Sequence, residues 1–129
     1  MDKHEAQDPF GADVGVAIRE EAPGVVVATL EVTPRHLNQH GTVHGGALFT
    51  LADVAFARAS NARGAVAVAL DTSMTFVRPA RVGTRLVARC EEEVLRRRIG
   101  VYAVRITDET GETVALFRGT VFRRPEGAA

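Results

Sequence analysis

An acidic residue, Asp53, lies alone at the centre of a stretch, residues 45–62, that is otherwise almost entirely apolar. Apolar surroundings disfavour the ionised form of a carboxyl group, which raises its pKa and suits it to act as a general base. The alternative is an acid that pairs at the surface with Arg58 or Arg63. The sequence leaves both interpretations open.

Two consecutive glycines, Gly45 and Gly46, begin the same stretch. The first N–H groups of a helix lack internal acceptors and lie at the positive end of its dipole. Without side chains in the way, they are able to hold a phosphate or the oxyanion of acyl transfer. A pair of glycines that simply allows close packing is the alternative. No Walker-type spacing accompanies them, which argues against a nucleotide loop.

The spacing between the glycines and the acid limits how they could act together. Gly46, Thr50, Asp53 and Ala57 fall on one helical stripe. Asp53 lies about 12 Å from Gly45 along the helix axis. One substrate carbonyl group could not easily contact both groups of the same helix. It could contact Gly45 of one subunit and Asp53 of another.

Three histidines, at 36, 40 and 44, have the spacing that would align zinc ligands on a helix. Gly41 and the β-branched residues that follow it interrupt any helix there. We therefore interpret His36, His40 and His44 as loop residues and predict no metal site.

Composition excludes several classes of protein. The chain has 129 residues, enough for one domain over residues 1–129, with 46% hydrophobic residues. Its 16 basic and 16 acidic residues balance, so neither nucleic acid nor an acidic membrane is an expected partner. The single cysteine, Cys90, excludes internal disulfides, which favours a cytoplasmic protein. Cys90 lies on the apolar face of a predicted strand, so we expect it in the core. The N-terminal segment MDKHEAQDPF does not resemble a signal peptide. Charges within residues 45–62 oppose membrane insertion.

The hydrophobic pattern predicts two strands, a loop, one long helix and then further strands. The helix is expected from Gly45 or Gly46 to about Arg63, with Gly64 as its left-handed C-terminal cap. It is apolar on nearly every side and must be surrounded, so the sheet should curl around it. Strands 99–107 and 112–122 are apolar on both faces, which predicts that another subunit covers them. The strands are expected at 14–20, 25–32, 65–79, 84–95, 99–107 and 112–124.

The segment NQHGTVHGG, followed by LAD, resembles the N-x-x-G-x-x-H-G-G…D signature of hotdog-fold acyl-CoA thioesterases. The nearest group is the PaaI group of phenylacetic acid degradation. The segments LADVAFARASNARG, FVRPARVGTRLVARC and VALFRGTVFR are similar to their counterparts there. The resemblance implies an α+β hotdog fold, in which a curled antiparallel sheet wraps around one long central helix.

The resemblance also implies roles for individual residues. Gly45 would give the oxyanion-hole N–H, and Asn38 would donate to the thioester carbonyl. His44 would support the loop or the site. Asp53, from the facing subunit, would activate water or attack the thioester. Coenzyme A would be part of the substrate, and no cofactor is expected.

Further residues are candidates for substrate binding. In relatives a small hydroxyl residue early in the strand after the helix can assist. Here that register falls near residues 69–71, and an acid at 71 departs from the pattern. Arginines at strand ends are candidates for the phosphates of coenzyme A. The complete set is Gly46, Asp71, Thr72, Arg78, Arg97 and Arg98.

The expected function is hydrolysis of aryl- or short- to medium-chain acyl-CoA by a homo-oligomer, with a tetramer expected. Two alternatives remain. A hotdog-fold hydratase or dehydratase would pair His44 with Asp53 as its acid–base residues. A non-catalytic acyl-CoA-binding protein would normally carry a DNA-binding appendage, for which this chain has no room.

Overall fold

The computed structural model describes residues 8–124. Six strands and one long helix form most of this part of the chain. The elements in order are α1 (Pro9–Val14), β1 (Ala17–Ala22), β2 (Val25–Glu31), a 3₁₀ turn (Pro34–His36), α2 (Gly45–Ser60), β3 (Val66–Phe76), β4 (Arg85–Leu95), β5 (Ile99–Thr107) and β6 (Thr113–Arg124).

The strands form a single antiparallel sheet in the order β1-β2-β4-β5-β6-β3. The sheet curls around α2, which packs against every strand and most extensively against β2, β4 and β5. This confirms the α+β hotdog arrangement that the resemblance implies. The two edges of the sheet are β1 and β3.

The core lies between α2 and the inner face of the sheet. Phe56 of α2 is buried against Tyr102 and Phe117, with ring centroids 5.9 and 5.3 Å away. Gly119 of β6 makes room for this ring, since an added Cβ would lie 2.6 Å from its tip. Cys90 is fully buried in the same core, as predicted, and burial raises the pKa of its thiol to about 12.

One stripe of α2 is left uncovered by the sheet. Gly46 and Ala57 are exposed, and Thr50 and Asp53 are half-buried. Phe49, next to this stripe, is 37% exposed although its ring contacts Phe117 at a centroid distance of 5.5 Å. The sheet of this chain therefore surrounds the apolar helix only in part. The uncovered stripe is the one that carries the acid.

The structure corrects three expectations about element boundaries. Helix α2 ends at Ser60 rather than near Arg63, with Asn61 as its cap. Gly64 has the positive φ of 81° that was expected, but it lies beyond the helix end, in the turn before β3. Residues 9–14 form the unpredicted helix α1, so the first strand begins at Ala17 rather than at 14.

The outer face of the sheet is less apolar than predicted. Leu116 and Phe122 are exposed there, but Arg105 and Arg118 lie among them. A shallow groove of about 590 Å³ runs across this face, lined by both arginines and by Leu116. The expectation of two-faced apolar strands therefore holds only in part, because charged residues alternate with apolar ones.

Candidate active site

The loop before α2 is organised by the side chain of Asn38. Its Oδ1 accepts hydrogen bonds from the backbone N–H groups of His40 (2.9 Å) and Thr42 (3.2 Å). Its Nδ2 donates to the Thr42 hydroxyl at 3.0 Å. The Asn38 backbone N–H donates to the Thr42 carbonyl, and Gly41 takes a positive φ of 81° at the tip. Asn38 thus fixes the loop and retains one amide hydrogen without an acceptor among residues 8–124.

His36 holds the other side of this loop. Its Nδ1 accepts the Thr33 N–H at 2.9 Å, and its Nε2 lies 2.7 Å from the carbonyl of Val14. Its own carbonyl accepts the His44 N–H at 2.7 Å. The buried His36 therefore connects the end of α1 to the residue that begins the long helix.

His44 satisfies most of the first turn of α2 by itself. Its Nδ1 accepts the Gly46 N–H at 2.8 Å. Its carbonyl accepts the N–H groups of Ala47 (2.9 Å) and Leu48 (3.2 Å). The side chain acts as an N-cap, and its extended backbone turns the chain into the helix. His44 therefore supports the site structurally, and the Gly46 N–H, expected to bind substrate, is already occupied.

The Gly45 N–H is the one donor of this first turn that has no acceptor among residues 8–124. It lies at the positive end of the α2 dipole. The ring of Phe76, at the end of β3, covers one side of Gly45, and an added Cβ would lie 3.1 Å from its Cζ. A free donor beside an aromatic wall is an arrangement that can hold a developing oxyanion.

Asp53 is unpaired within the part of the chain that the structure describes. The two arginines considered as partners bind elsewhere: Arg58 contacts Glu20 at 3.2 Å, and Arg63 contacts Glu92 at 2.9 Å. The interpretation of Asp53 as a surface ion-pair partner is therefore wrong. Burial, and then the negative charge of Asp8, raise the pKa of Asp53 above its usual range. Such a carboxylate is a stronger proton acceptor than an ordinary aspartate.

Asp53 and His44 are not brought together, because they lie more than two turns apart on α2. The same separation divides Asp53 from Gly45. Within one chain, the acid and the free donor are therefore about 12 Å apart along the helix axis, which is too far for both to contact one carbonyl group easily.

On β3, a bulge between Ala69 and Asp71 sets which side chains face the helix. Met74 packs on the core, and Thr72 shares its side of the strand. Asp71 is exposed and alternates to the side of Ser73, which lines the outer groove. Asp71 and Thr72 are the two predicted substrate contacts on β3, and only Thr72 is placed toward α2.

The predicted phosphate-binding arginines separate into two places. Arg78 follows β3 and is paired with Glu112 at 2.6 Å. Arg97 and Arg98 lie in the exposed turn between β4 and β5, where Arg123 fixes the backbone by donating to the carbonyls of Arg96 (2.6 Å) and Arg97 (3.3 Å). This turn is close to the C-terminal end of α2, because Arg63 reaches Glu92 of β4. It is therefore at the far end of the helix from Gly45.

No group of three or more potential metal-ligating side chains occurs within residues 8–124. His36, His40 and His44 lie in a turn, a loop and a cap, and two of them have their ring nitrogens in backbone hydrogen bonds. None of the described helices is long and apolar enough to cross a membrane.

Helix α1 is the part of the site that the sequence pattern did not predict. Asp8 caps it by accepting the Gly11 N–H at 2.8 Å, and Pro9 occupies its first position. Gly15 ends it with a positive φ of 107°. The capping acid, the proline after it and the terminal glycine are the ordinary signals of a helix start and stop, and they could have identified it. The segment between them is too short to show a helical period.

Comparison with known proteins agrees with this geometry. The family model described as Thioesterase superfamily matches residues 40–115. Acyl-coenzyme A thioesterase PaaI of Escherichia coli K12 is 41% identical over 116 residues, which cover 90% of this chain and 83% of that protein.

Two solved structures share the fold. A mutant of the phenylacetic acid degradation protein PaaI from Thermus thermophilus superposes with a TM-score of 0.87 at 50% identity, covering 91% of this chain and 100% of that one. A hypothetical thioesterase of Streptococcus pneumoniae TIGR4, solved with coenzyme A, gives a TM-score of 0.87 at 27% identity, covering 94% and 97%. This chain belongs to the thioesterase superfamily and is a hotdog-fold member similar to the PaaI proteins.

Proposed function

We propose that this protein is an acyl-CoA thioesterase, which hydrolyses aryl- or short- to medium-chain acyl-CoA to the free acid and coenzyme A. The observation that carries the proposal is the free Gly45 N–H at the start of α2 together with the unpaired, half-buried Asp53 on its open stripe. The similarity to a named acyl-CoA thioesterase and to a thioesterase solved with coenzyme A supports it.

The chemistry needs few groups. The Gly45 N–H donates to the thioester oxygen and stabilises the negative charge that develops there. Asp53 takes a proton from water, whose oxygen attacks the carbonyl carbon, or its carboxylate attacks that carbon itself. The carbon–sulfur bond then breaks, and the thiolate of coenzyme A leaves and takes up a proton. Attack by water gives the free acid directly, whereas attack by the carboxylate leaves a mixed anhydride on Asp53, which water hydrolyses to the free acid and the Asp53 carboxylate. Label found in Asp53 after repeated turnover in ¹⁸O-water identifies the second route, because only the anhydride, opened by water at the Asp53 carbon, can place label there.

We propose that a second copy of the chain completes the site through the β3 edge. The other edge, β1, is short, charged and bulged near Glu20, which are features that discourage pairing. β3 is longer and exposes Val66, Val68 and Leu70. Two copies related by a twofold axis pair this edge antiparallel. The uncovered stripe of α2 then faces the partner, and a tetramer forms if two such dimers associate.

In this pairing the turn between β4 and β5 of one chain, which carries Arg97 and Arg98, approaches the Gly45 N–H of the other chain. Val66 pairs with Arg124 in its own sheet, and Phe76 lies at the opposite end of β3, beside Gly45. Antiparallel pairing of two β3 strands puts the first end against the partner's second end. Arg97 and Arg98, which are tied to β6 through the Arg98 carbonyl, thereby become candidates for the phosphates of a coenzyme A bound across the seam.

The arginine assignment is tested by the Arg97→Ala, Arg98→Ala double variant. It should raise KM for acyl-CoA with little change in kcat, which is the pattern of lost uniform binding. The effect should be smaller for a short pantetheine thioester without the nucleotide phosphates. Equal losses on both thioesters would contradict phosphate binding. Arg19→Ala is the matched control, because Arg19 lies on β1, the opposite edge of the sheet, where it is paired with Glu21.

The main experiment is a hydrolysis panel of aryl, short and long acyl-CoAs, read by thiol release, for the wild-type protein and Asp53→Asn. We expect release of coenzyme A by the wild type, with aryl or short to medium acyl groups preferred, and a loss of at least about 100-fold in Asp53→Asn. A variant that keeps more than about a third of the wild-type rate would remove Asp53 from the mechanism. Absence of thiol release, with acyl-CoA bound, would favour a binding protein.

Two further elements of the proposal are a cytoplasmic location and the absence of a resident cofactor. The single buried thiol and the lack of disulfides are consistent with a reducing compartment. Hydrolysis by Gly45 and Asp53 requires no metal, so treatment with a chelator should leave the rate unchanged. Loss of activity with a chelator and its return with zinc would contradict this.

A further inference from the structure

The short helix α1 lies against α2 at the turn that carries Asp53. An added Cβ on Gly11 would lie 2.6 Å from Cγ2 of Val54 and 3.1 Å from the Asp8 carboxyl. Gly11 is buried at this contact. The Asp8 carboxyl and the Val54 methyl therefore both lie on the Cβ side of Gly11, next to the same point, which places Asp8 close to the residue that follows Asp53.

The Asp8 carboxyl is fixed in this position. Its Oδ1 accepts the Gly11 N–H at 2.8 Å as the cap of α1. The other end of α1 is held by Gly15, whose N–H donates to the carbonyls of Gly11 (3.1 Å) and Ala12 (3.0 Å). His36 holds the Val14 carbonyl from the loop before α2. His36 at the end of α1 and Val54 at Gly11 therefore anchor this helix, so the Asp8 carboxyl keeps a constant position relative to α2.

Among residues 8–124, the other charged groups near α2 are paired, protonated or exposed. On β1, Glu20 contacts Arg58; on β4, Glu92 contacts Arg63. Cys90 of β4 and Tyr102 of β5 remain protonated at neutral pH, because burial raises the pKa of both.

The remaining elements add little charge near Asp53. The residues of β2 and β6 that pack on α2 are apolar, and Asp71 of β3 is exposed. His44 caps the far end of α2, and Asp13 is exposed at the far end of α1.

We propose that Asp8 is a positioning residue for the hydrolytic reaction: from the cap of α1 it holds a fixed negative charge beside Asp53 and strengthens Asp53 as a proton acceptor. The inference rests on the proposed function, since it concerns the group that function assigns to the chemistry. It gives α1 a role beyond covering the helix.

The direction of the effect follows from charge. A nearby anion disfavours the ionised form of Asp53, and the charge of Asp8 acts in the same direction as burial in raising the pKa of Asp53. A carboxylate with a higher pKa accepts a proton more readily, but it is lost to protonation at a higher pH. Removing the charge of Asp8 should therefore extend activity to lower pH and weaken the base on the plateau.

The test variant is Asp8→Asn, because asparagine caps a helix as well as aspartate does and removes only the charge. We expect the acid limb of the kcat/KM profile to move to lower pH, with a drop of up to a few-fold on the plateau. High salt should reduce the difference between variant and wild type. Asp13→Asn is the matched control, since it removes a charge of the same helix away from Asp53. It should leave the profile unchanged.

A direct titration separates this inference from the proposed function. The carboxyl carbon of Asp53 is followed by ¹³C NMR in the wild type and in Asp8→Asn, and its midpoint should fall in the variant. An unchanged midpoint in a folded variant would overturn the inference, whatever the rates show. If Asp53→Asn kept its hydrolytic activity, the catalytic role that the proposed function assigns to Asp53 would fail, while the titration would still decide whether the charge of Asp8 acts on Asp53. Should Asp8→Asn fail to fold, Asp8→Ser provides a second neutral cap.

Discussion

The start of α2 depends on one residue, His44, which contributes the acceptors for three N–H groups of the first turn. By accepting the N–H groups of Gly46, Ala47 and Leu48, it leaves Gly45 as the free donor. The selectivity is geometric, because the imidazole reaches the second helical N–H and the carbonyl reaches the third and fourth. Because the other three N–H groups are capped, only the Gly45 N–H is left to bind a substrate oxygen atom.

We predict that Gly45→Pro lowers kcat/KM by roughly 100-fold or more, as loss of one oxyanion donor does in other enzymes. Proline is tolerated at the first helical position, where it removes the N–H group and adds a Cβ. Gly45→Ala is the matched control, because it introduces the same crowding against Phe76 but retains the donor. Equal losses in the two variants would assign the effect to crowding rather than to the hydrogen bond.

Asp53 should reduce stability while it serves the reaction. Its folded pKa is raised, so the folded state holds the proton more tightly than the unfolded state does. The stability that protonated Asp53 contributes to the folded state is fully present below its unfolded pKa, about 3.9. It is lost as the pH rises through the pKa of Asp53 in the folded state. Asp53→Asn should therefore raise Tm by a few degrees at pH 7 and by less near pH 4. Calorimetry at both pH values checks this, and a lower Tm at pH 7 would contradict it.

At the scale of elements, the strong periodic patterns predicted the fold and the short signals did not. The long apolar run predicted α2 as a surrounded helix, and alternation predicted the five longer strands. The end of α2 was misplaced because Gly64 was taken as its cap, whereas the side chain of Asn61 bonds the Ala57 and Ala67 carbonyls and ends the helix earlier. Helix α1 was missed because six residues are too few to show a period.

The candidate site was predictable in its residues but not in their partners. Gly45 and Asp53 could be named from their types and their place in an apolar run. The choice between a paired and a free acid could not be made, because Glu20 and Glu92, the partners of Arg58 and Arg63, come from distant strands. The proximity of Asp8 to Asp53 could not be predicted either, because it depends on how α1 packs against α2.

The packing of α2 against β6 gives a prediction at this scale. An alanine at Gly119 would place its Cβ 2.6–2.9 Å from three atoms of the Phe56 ring, which is itself confined by Tyr102 and Phe117. Gly119→Ala should reduce the free energy of unfolding by about 1–3 kcal/mol, although alanine suits a strand better than glycine. Denaturant unfolding measures this.

The control for that prediction is a second substitution in the same contact. In a Phe56→Leu background the ring is absent, so adding Gly119→Ala should cost clearly less than it does in the wild-type background. Equal costs in both backgrounds would show that Phe56 is not the group that excludes the methyl.

At the scale of the whole molecule, the proposed reaction requires groups from two chains. Gly45 and Asp53 lie more than two turns apart on one helix, the stripe between them is uncovered, and the β3 edge beside it exposes apolar side chains. The proposed second copy of the chain, paired along β3, would account for all three features. The central claim is therefore that each active site takes Gly45 from one subunit and Asp53 from the other.

Mixing two inactive variants tests this claim most directly. Gly45→Pro and Asp53→Asn are each purified, mixed in equal amounts, allowed to exchange subunits, and assayed for release of coenzyme A. Half of the dimers are then mixed, and each mixed dimer has one site with an intact Gly45 and an intact Asp53. We predict recovery of about a quarter of the wild-type rate, as random pairing through a twofold interface gives. If subunit exchange is demonstrated and the mixture stays as inactive as its components, the two groups act within one chain and the account is wrong.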